Sequence, residues 1–507
     1  MLHGETQVRG HNPPESQFHD RGRFGRLFPG LPVFAPDNQQ VREALFELGK
    51  LGGLMDAQDP PAGQQPGPAA SNIDNETIPA GFTFFGQFVD HDLTFDPTSI
   101  LERQNDPEAI ENFRTPAFEL DNVYGSGPRV SRHLYDLRDP AKFLIEKLGG
   151  PDSNDDMPRN SQSTAIIADP RNDENTIVSQ FHVAILKFHN AVVDHLRKKN
   201  PNDPQVFEKA QRMVRWHYQW IILHEFLPKI AGQKVVDDVL DDRPRERFFR
   251  WRNEPFIPVE FSVAAYRFGH SQVRPAYGLN GGFGAAIFND TLDPAVEDPA
   301  DLRGGKRAAR RFVEWARFFE GLGNELNPVV NINPSKRIDP RLSTRLFKLL
   351  IGAPGQVSGD GVGGITNPQS LAQRNLLRSL ALKLPSGQAM AKRLGIKPLK
   401  LDELKDLKVG FENSSPPWYY ILRESQLEKD NEGRRLGPVG ARIVAEVFVG
   451  ILRGDRFSFL NANPNWKPEL ANAEGKFLMA DLLKFAGVPL RPPVAPPAPP
   501  PPAPPSP

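Results

Sequence analysis

The stretch Gly86-Gln87-Phe88-Val89-Asp90-His91-Asp92 places four polar side chains in one short and otherwise apolar segment. Large apolar residues surround it, namely Phe82, Phe84, Phe85, Phe88, Leu93 and Phe95. The segment is therefore predicted to be buried, and burying a glutamine, a histidine and two aspartates together costs free energy unless each has a partner. A bound metal or cofactor is the natural explanation.

The composition excludes several classes of function. The chain has 507 residues, 62 Lys and Arg against 62 Asp and Glu, and no cysteine. A net charge of zero gives no reason to expect nucleic acid as a partner. The lack of cysteine excludes disulfides, thiolate haem ligation, iron–sulfur clusters and Cys-based zinc sites. No apolar run approaches the roughly 18 residues of a membrane span, and Met1–Gly25 lacks the apolar core of a signal peptide. We expect a cytoplasmic protein or non-classical secretion.

Helical periodicity is the main secondary-structure signal. The clearest helices are predicted at about 176–199 and 205–230. Further helices are predicted at about 38–54, 260–272, 306–322, 340–351, 369–383, 388–394 and 439–453. Strand signals are few, so the expected fold is mainly α, with many helices, long loops and little β. One large domain over 1–488, with its core at about 20–460, is expected before a disordered Pro-rich tail over 489–507.

A second group of polar residues runs from Thr115 to Asp121. Oxygen donors alternate at Thr115, Ala117 (through its backbone), Glu119 and Asp121, and they could point inwards from one curved loop. Such oxygens suit a hard cation such as Ca²⁺, and Asp92 could complete the site. If the pattern at 115–121 is considered without the other segments, a helix N-cap followed by a turn explains it equally well.

Three further segments carry polar residues that could belong to a functional site. Each of them, taken alone, also has an ordinary structural explanation. Arg171 and Glu174 stand directly before the first long helix, where charges at a helix start are common. The segment 266–270 ends in His270, which alone would be read as a core histidine. Asn375 and Arg378 lie one helical turn apart on one face.

Together, these five segments resemble the animal-type haem peroxidases of the peroxidase–cyclooxygenase superfamily, in particular its bacterial members. The motifs follow the family order, and the resemblance spans about residues 20–460. It implies a single haem peroxidase domain with haem b and Ca²⁺ as cofactors. It also implies reduction of hydrogen peroxide and oxidation of a small donor such as a halide or a phenol, with a role in the response to oxidative stress.

The resemblance implies roles for the residues on the distal side of the haem. His91 matches the distal histidine, Gln87 its polar neighbour, and Arg171 the distal catalytic arginine. Asp90 and Glu174 match two carboxylates that form ester bonds to the haem in mammalian relatives. A haem linked through these two residues is therefore a further expectation.

On the proximal side, the resemblance implies that His270 ligates the iron and that Asn375 accepts its second N–H. Arg267 and Arg378 would pair with the haem propionates. The calcium ligands would be Asp92, Thr115, Ala117, Glu119 and Asp121, with Glu119 standing where relatives commonly carry aspartate.

Peroxide chemistry agrees with these roles. As the O–O bond breaks, a proton must move from one oxygen to the other, and a neutral imidazole such as that of His91 can carry it. A fixed guanidinium such as that of Arg171 stabilises the charge on the leaving oxygen. The iron needs a ligand on its other face, whose donor strength depends on the partner of the second ring nitrogen.

Two rival functions remain open. Fatty-acid dioxygenases of the superfamily carry a radical-forming tyrosine three residues before the proximal histidine, where this chain has Arg267, with Tyr266 one residue further back. This difference favours a peroxidase. A non-catalytic adhesion or matrix module is disfavoured by the intact catalytic residues. Asn175 stands where some mammalian members carry a haem-linked methionine, so that third link is not expected.

Two histidine pairs, His182 with His189 and His217 with His224, each have a spacing of seven residues and could suggest a metal site in a helix bundle. No Glu-x-x-His or His-Glu-x-x-His motif accompanies them. Core or interface histidines are the preferred interpretation.

Overall fold

The computed structural model describes residues 24–59, 73–94, 115–148, 155–241, 247–251, 254–289, 298–322, 332–349 and 368–490. The predicted tail therefore lies outside the described residues, except for its first two positions. Those two are held by the domain, since Pro489 and Leu490 accept backbone hydrogen bonds from Trp315 and Ala316.

The described residues are mainly helical, as predicted. The α-helices are α1 (Gln39–Leu48), α2 (Ala80–Leu93), α3 (Asp121–Tyr124), α4 (Gly127–Val130), α5 (Thr176–Lys199), α6 (Val206–Ile221), α7 (Leu227–Ala231), α8 (Gln233–Leu240), α9 (Leu371–Ala381), α10 (Gly387–Arg393), α11 (Pro417–Leu427), α12 (Pro438–Gly454), α13 (Phe459–Ala462) and α14 (Met479–Ala486). A π-helical turn, Ile222–Phe226, joins α6 to α7.

The strands form four small two-stranded sheets within the described residues. Strand β1 (Phe24–Gly25) pairs in parallel with β5 (Ile257–Pro258). The antiparallel pairs are β2 (Asp74–Pro79) with β8 (Pro334–Lys336), β3 (Glu146–Lys147) with β4 (Asp155–Asp156), and β6 (Ala276–Asn280) with β7 (Phe283–Ala286). The prediction of little β structure is confirmed.

Helix α5 has the bounds that the sequence pattern predicted. Its N-cap Asn175 accepts hydrogen bonds from the backbone N–H groups of Ile177 and Val178 at 3.1 and 2.9 Å. Such a cap satisfies donors that have no partner within the helix. Helix α5 packs against α6, α2 and α14, so it is the central helix of the part of the core that carries the site.

Helix α2 carries the polar stretch at 86–92 through the apolar core. Phe82, Phe85 and Phe88 are buried, and their rings meet those of Phe226 and Phe181 edge-on or stacked. At Gly81 a Cβ would collide with the Phe318 carbonyl and the Phe319 ring, so only glycine permits this close approach. Packing of this kind fixes the direction of α2 and thereby the position of His91 in its last turn.

The predicted helix at 260–272 has a different form. A π-helical turn, Glu260–Ala264, leads directly into a 3₁₀ helix, Ala265–Gln272. The wider π turn and the tighter 3₁₀ turns shift the side-chain directions away from those of a regular α-helix. This segment ends with His270.

The predicted helix at 306–322 is wrong. The described residues there contain only two short 3₁₀ turns, Ala309–Arg311 and Trp315–Arg317. Between them the backbone N–H of Glu314 bonds to the carbonyl of Leu279 at 2.9 Å. Pairing with a distant segment replaces the local helical hydrogen bonds.

Candidate active site

One cavity receives residues from α2, from the turn before α5 and from the 260–272 segment. Eight of the predicted site residues line it: Gln87, Asp90, His91, Arg171, Glu174, Arg267, His270 and Arg378. Much of the remaining wall is apolar and includes Phe24, Phe82, Phe84, Phe226, Val259, Val263, Phe268 and Leu371. The fold thus brings two imidazoles, far apart in the chain, to one largely apolar cavity.

His91 is held through both its ring and its backbone. Its Nδ1 atom lies 2.8 Å from Oδ1 of Asn172, a contact that the sequence did not reveal. Its backbone carbonyl accepts a hydrogen bond from Nη2 of Arg171 at 3.1 Å. The ring is buried, and its Nε2 atom is 3.9 Å from Oε1 of Glu174.

The guanidinium of Arg171 is fixed by a two-point ion pair with Asp169. Nε and Nη2 of Arg171 lie 3.1 and 2.8 Å from the two carboxylate oxygens, and Nη2 also donates to the Thr94 carbonyl. Both side chains are buried. A charged group held this firmly needs little rearrangement when it meets a developing negative charge.

The two carboxylates that resemble ester-forming residues differ in their surroundings. Glu174 accepts a hydrogen bond from Nε2 of Gln87. Burial raises the pKa of Asp90, and the nearby Arg171 and Arg267 offset part of that effect. Both residues line the cavity.

His270 also lines the cavity, and its ring contacts the side chain of Asn375. Nδ2 of Asn375 is 2.8 Å from Nδ1 of His270, while Oδ1 of Asn375 accepts from Nη1 of Arg267 at 2.6 Å. The amide nitrogen therefore faces the ring. The family resemblance had instead implied that the amide oxygen of Asn375 accepts the N–H of His270. Burial, with a contribution from Arg267, lowers the pKa of His270 to about 3, so its ring is neutral at pH 7.

Trp418 supports the same region and was not found by sequence reasoning. Its Nε1 atom donates to the carbonyl of Arg267 at 3.1 Å, and its ring meets that of His270 edge-on with centroids 6.2 Å apart. Trp418 is fully buried at the start of α11. It fixes the backbone one turn before His270.

The residues of the cavity fit a haem in their chemistry. A buried, neutral imidazole is a suitable iron ligand, and the apolar wall suits the porphyrin faces. Gly269, next to His270, has no atom within 4 Å of the position of a Cβ, which leaves open space beside His270. Arg267 and Arg378 place guanidinium groups at the same cavity, as binding of carboxylates requires.

The predicted calcium residues lie outside the cavity. Asp92 is fully buried, and its Oδ1 atom accepts from the backbone N–H of Asp121 at 3.1 Å. Arg215 reaches the same loop, donating to the Glu119 carbonyl at 2.6 Å and lying 3.7 Å from Oδ1 of Asp121. The donor types suit a hard cation, but the described residues contain no metal-type cluster of three or more His or acidic side chains. The calcium site stays a prediction.

The paired histidines mostly have core roles, as the sequence interpretation proposed. His189 contacts the Tyr124 hydroxyl at 2.9 Å, and His217 donates to the Met213 carbonyl at 2.7 Å. His182 is equally buried and contacts Asn172. His224 differs, since it is exposed and stacks on Trp220 with centroids 3.8 Å apart.

Comparison with known sequences agrees with this geometry. Residues 100–287 match the family described as animal haem peroxidase. Chorion peroxidase of Drosophila melanogaster is 26% identical over 353 residues, which cover 66% of this chain and 40% of that protein. Peroxinectin A of Dictyostelium discoideum is 23% identical over 364 residues, covering 66% of this chain and 60% of that protein. The chain thus spans less than two thirds of the length of these relatives.

Solved structures share the fold. Peroxidase A from Dictyostelium discoideum superposes with a TM-score of 0.62 and 19% identity, covering 96% of this chain and 98% of that one. A variant of the Oryza sativa fatty acid alpha-dioxygenase with palmitic acid gives a TM-score of 0.55 and 14% identity, covering 94% and 80%. The class defined by fold and cavity is the peroxidase-type helical fold. The match to the animal haem peroxidase family covers residues 100–287 of this chain.

None of the helices that the structure describes has the length and apolarity to cross a membrane.

Proposed function

We propose that this protein is a haem-dependent peroxidase that reduces hydrogen peroxide and oxidises a small donor such as a halide or a phenol. The observation that carries the proposal is the shared cavity of His91 and His270. The imidazole of His270 is neutral and contacts Asn375. The other imidazole belongs to His91, whose backbone carbonyl accepts a hydrogen bond from the fixed guanidinium of Arg171. Ligation and peroxide activation require these two different environments.

In this proposal the haem, when bound, supplies the iron at which peroxide is reduced and which the donor then re-reduces. His91 takes a proton from one peroxide oxygen and returns it to the other, so that water leaves. Arg171 stabilises the negative charge that grows on the leaving oxygen. Gln87 is the further polar group at that end of the cavity, and its contact with Glu174 holds its amide in place.

The residues for holding the haem follow from the same geometry. His270 would ligate the iron, with Asn375 behind it and with Arg267 and Arg378 near the propionates. Asp90 and Glu174 line the cavity as well, so we also propose that the haem can be ester-linked through them. The peroxide-dependent activity would serve the response to oxidative stress.

We further propose that Ca²⁺ binds the loop of Thr115, Ala117, Glu119 and Asp121 together with Asp92. The support is the buried Asp92 carboxylate, which is bonded to this loop and follows His91 directly in α2. A cation there would tie the loop to the end of α2. Calorimetric titration of the full chain with Ca²⁺, compared with an Asp92→Asn variant, tests this. Equal heats for the two proteins would refute it.

Fatty-acid dioxygenation is the second candidate function. Tyr266 lines the cavity and donates its hydroxyl hydrogen to the Gly86 carbonyl at 3.0 Å, and a fatty acid dioxygenase shares the fold. Arg267 occupies the position of the radical tyrosine, which favours the peroxidase. Oxygen uptake with an unsaturated fatty acid, measured beside peroxide-dependent phenol oxidation, separates the two functions.

The decisive experiment is an absorption spectrum of the purified full chain reconstituted with haem, before and after peroxide. We expect a Soret band that changes with peroxide and is lost in His270→Ala. His133→Ala is the matched control, because His133 is exposed and does not line the cavity. A Soret band in His270→Ala equal to that of the wild type would refute the assigned ligand. Absence of haem binding by the wild type would refute the proposed function and favour a non-catalytic adhesion or matrix module.

A further inference from the structure

The turn before α5 contacts the end of α2 through two adjacent side chains. Arg171 binds the backbone carbonyl of His91, and Asn172 contacts its ring, with 2.8 Å between Oδ1 of Asn172 and Nδ1 of His91. Asn172 has 0% exposure and belongs to the 3₁₀ turn Pro170–Asp173. This contact is absent from the roles that the sequence comparison implied.

The other end of the Asn172 amide determines which way it points. Its Nδ2 atom lies 3.4 Å from the Asn122 carbonyl and 3.0 Å from Nδ1 of His182. A carbonyl oxygen only accepts hydrogen bonds, so the amide nitrogen must face Asn122. The amide oxygen then faces His91, and since this oxygen also only accepts, Nδ1 of His91 must carry a proton.

His182 is compatible with this arrangement. It is 1% exposed, and burial lowers its pKa to about 4, so its ring is neutral at pH 7. A neutral ring has one acceptor nitrogen. Nδ1 of His182 can therefore accept from Asn172, which places the His182 proton on Nε2.

We propose that Asn172 is a positioning residue that fixes His91 in the tautomer with its proton on Nδ1. Nε2 of His91 then carries the lone pair that a base needs to receive a proton from peroxide. The inference rests on the proposed peroxidase function. It deepens that function, because it states that Asn172, held by His182, determines which ring nitrogen of His91 acts as the base.

A purely structural role for Asn172 makes different predictions. In that case its loss would lower stability or haem content without changing which nitrogen of His91 is protonated. It would also slow the reaction with peroxide and the reaction with the donor to similar extents. A positioning role affects the peroxide step alone.

The first test follows the Soret change of haem-loaded Asn172→Leu after mixing with hydrogen peroxide. We expect haem content close to that of the wild type and a second-order rate with peroxide that is lower by roughly 10²-fold, the smaller end of what a general base contributes. The subsequent rate with a phenol donor should change little. A wild-type peroxide rate in Asn172→Leu would overturn the proposal.

Two further variants make this test specific. Asn172→Asp keeps an oxygen towards Nδ1 of His91 and should retain more of the peroxide rate than Asn172→Leu. Asn190→Leu is the matched control. Asn190 lies in α5 and uses both ends of its amide in hydrogen bonds, as Asn172 does, but both go to the backbone of Phe143 and away from the cavity. Equal peroxide rates in Asn172→Asp and Asn172→Leu, with full haem content, would contradict the proposal.

The second test does not depend on activity or on the folding of a variant. Histidine-labelled (¹⁵N) full chain, loaded with diamagnetic zinc protoporphyrin, is examined by NMR, and the His91 signals are assigned by their loss in His91→Gln. We expect the ring proton of His91 on Nδ1 and that of His182 on Nε2. A His91 proton on Nε2 would overturn the proposal. If the wild type takes up no porphyrin, the proposed function fails, while the same spectrum of the unloaded full chain still determines the tautomer.

Discussion

Arg267 donates from Nη1 to Oδ1 of Asn375 at 2.6 Å and so turns the amide nitrogen of Asn375 towards His270. An amide N–H at Nδ1 of His270 uses that nitrogen as an acceptor, which leaves the proton of the neutral ring on Nε2. Ligation of iron by Nε2 would therefore need the proton on Nδ1 and the amide oxygen of Asn375 turned towards it. In the proposed haem complex, Arg267 would therefore connect the environment of the propionates with the orientation of the Asn375 amide, and so with the donor strength of His270. The identity of residue 375 should consequently affect the iron potential.

The first prediction concerns Asn375→Asp in the haem-loaded protein. A carboxylate accepts the Nδ1 proton of His270 and gives the ring more anionic character, which stabilises ferric iron. We expect the ferric/ferrous midpoint potential to fall by at least about 60 mV, which is tenfold in the equilibrium constant of a one-electron couple. Spectroelectrochemical titration measures it, with Asn190→Asp as the control away from the cavity. An unchanged or higher potential would contradict the role of Asn375.

The second prediction concerns His91→Ala. Removal of the proton carrier should leave haem binding intact, since His270 is the assigned ligand, and should slow the reaction with peroxide by about 10²–10⁴-fold. Stopped-flow absorbance at the Soret band gives both the haem content and the rate. The exposed His133→Ala variant should behave as the wild type does. Normal reaction of His91→Ala with peroxide would refute the role given to His91.

The third prediction concerns the covalent state of the haem. After turnover with peroxide, acid extraction should leave part of the haem attached to peptides that contain Asp90 or Glu174, as mass spectrometry would detect. The double variant Asp90→Asn with Glu174→Gln cannot form esters and should release all of its haem. Complete extraction of haem from the wild type would rule out the ester bonds.

The prediction of a helix at about 176–199 agrees with the bounds of α5, whose two ends both carry local signals. Asn175 caps its start, and Asn200-Pro201 follows its last residue. Helix α2 gave no helical period, because most of its residues are buried and its apolar side chains lie all around it. The region 306–322 misled the prediction, since the hydrogen bond from Glu314 to Leu279 joins segments that are distant in sequence.

The distinction between local signals and contacts with distant segments applies to the site as well. His91, Arg171 and His270 could be recognised because each lies in a short motif of its own. Asn172 stands within one of those motifs, but its partner His91 is 81 residues away. Trp418 is 151 residues from Arg267, whose carbonyl it binds. A local pattern does not contain contacts of this kind, which arise only when α2, α11 and the turn before α5 pack together.

The fourth prediction concerns stability at low pH. His217 is buried, its Nδ1–H donates to the Met213 carbonyl at 2.7 Å, and its Nε2 accepts from the backbone N–H of Leu470 at 3.3 Å. Both nitrogens are thus used by the neutral ring, and a second ring proton would face an N–H group. Burial lowers the pKa of His217 to about 4, against the smaller opposing effect of the Met213 carbonyl.

Proton linkage determines whether His217 raises or lowers the free energy of unfolding as the pH falls. An unfolded histidine has a pKa of about 6.5, so between pH 6.5 and 4 the unfolded state holds more protons, and His217 makes the protein less stable as the pH falls. The slope is about 1.4 kcal/mol per pH unit. Buried carboxyls act in the opposite direction, since burial raises the pKa of Glu225 and of Asp339 to about 7. Both of these effects remain when His217 alone is replaced, so they cancel in a comparison of variants.

Urea unfolding of His217→Gln and of the wild type from pH 4 to pH 7 measures this contribution. The variant is expected to be less stable at pH 7, because it loses a fitted side chain, but to lose less stability on acidification, with its slope lower by up to about 1.4 kcal/mol per pH unit. His133→Gln, at an exposed position, should show the wild-type slope. Parallel pH profiles for His217→Gln and the wild type would mean that the neutral ring of His217 contributes nothing to acid sensitivity.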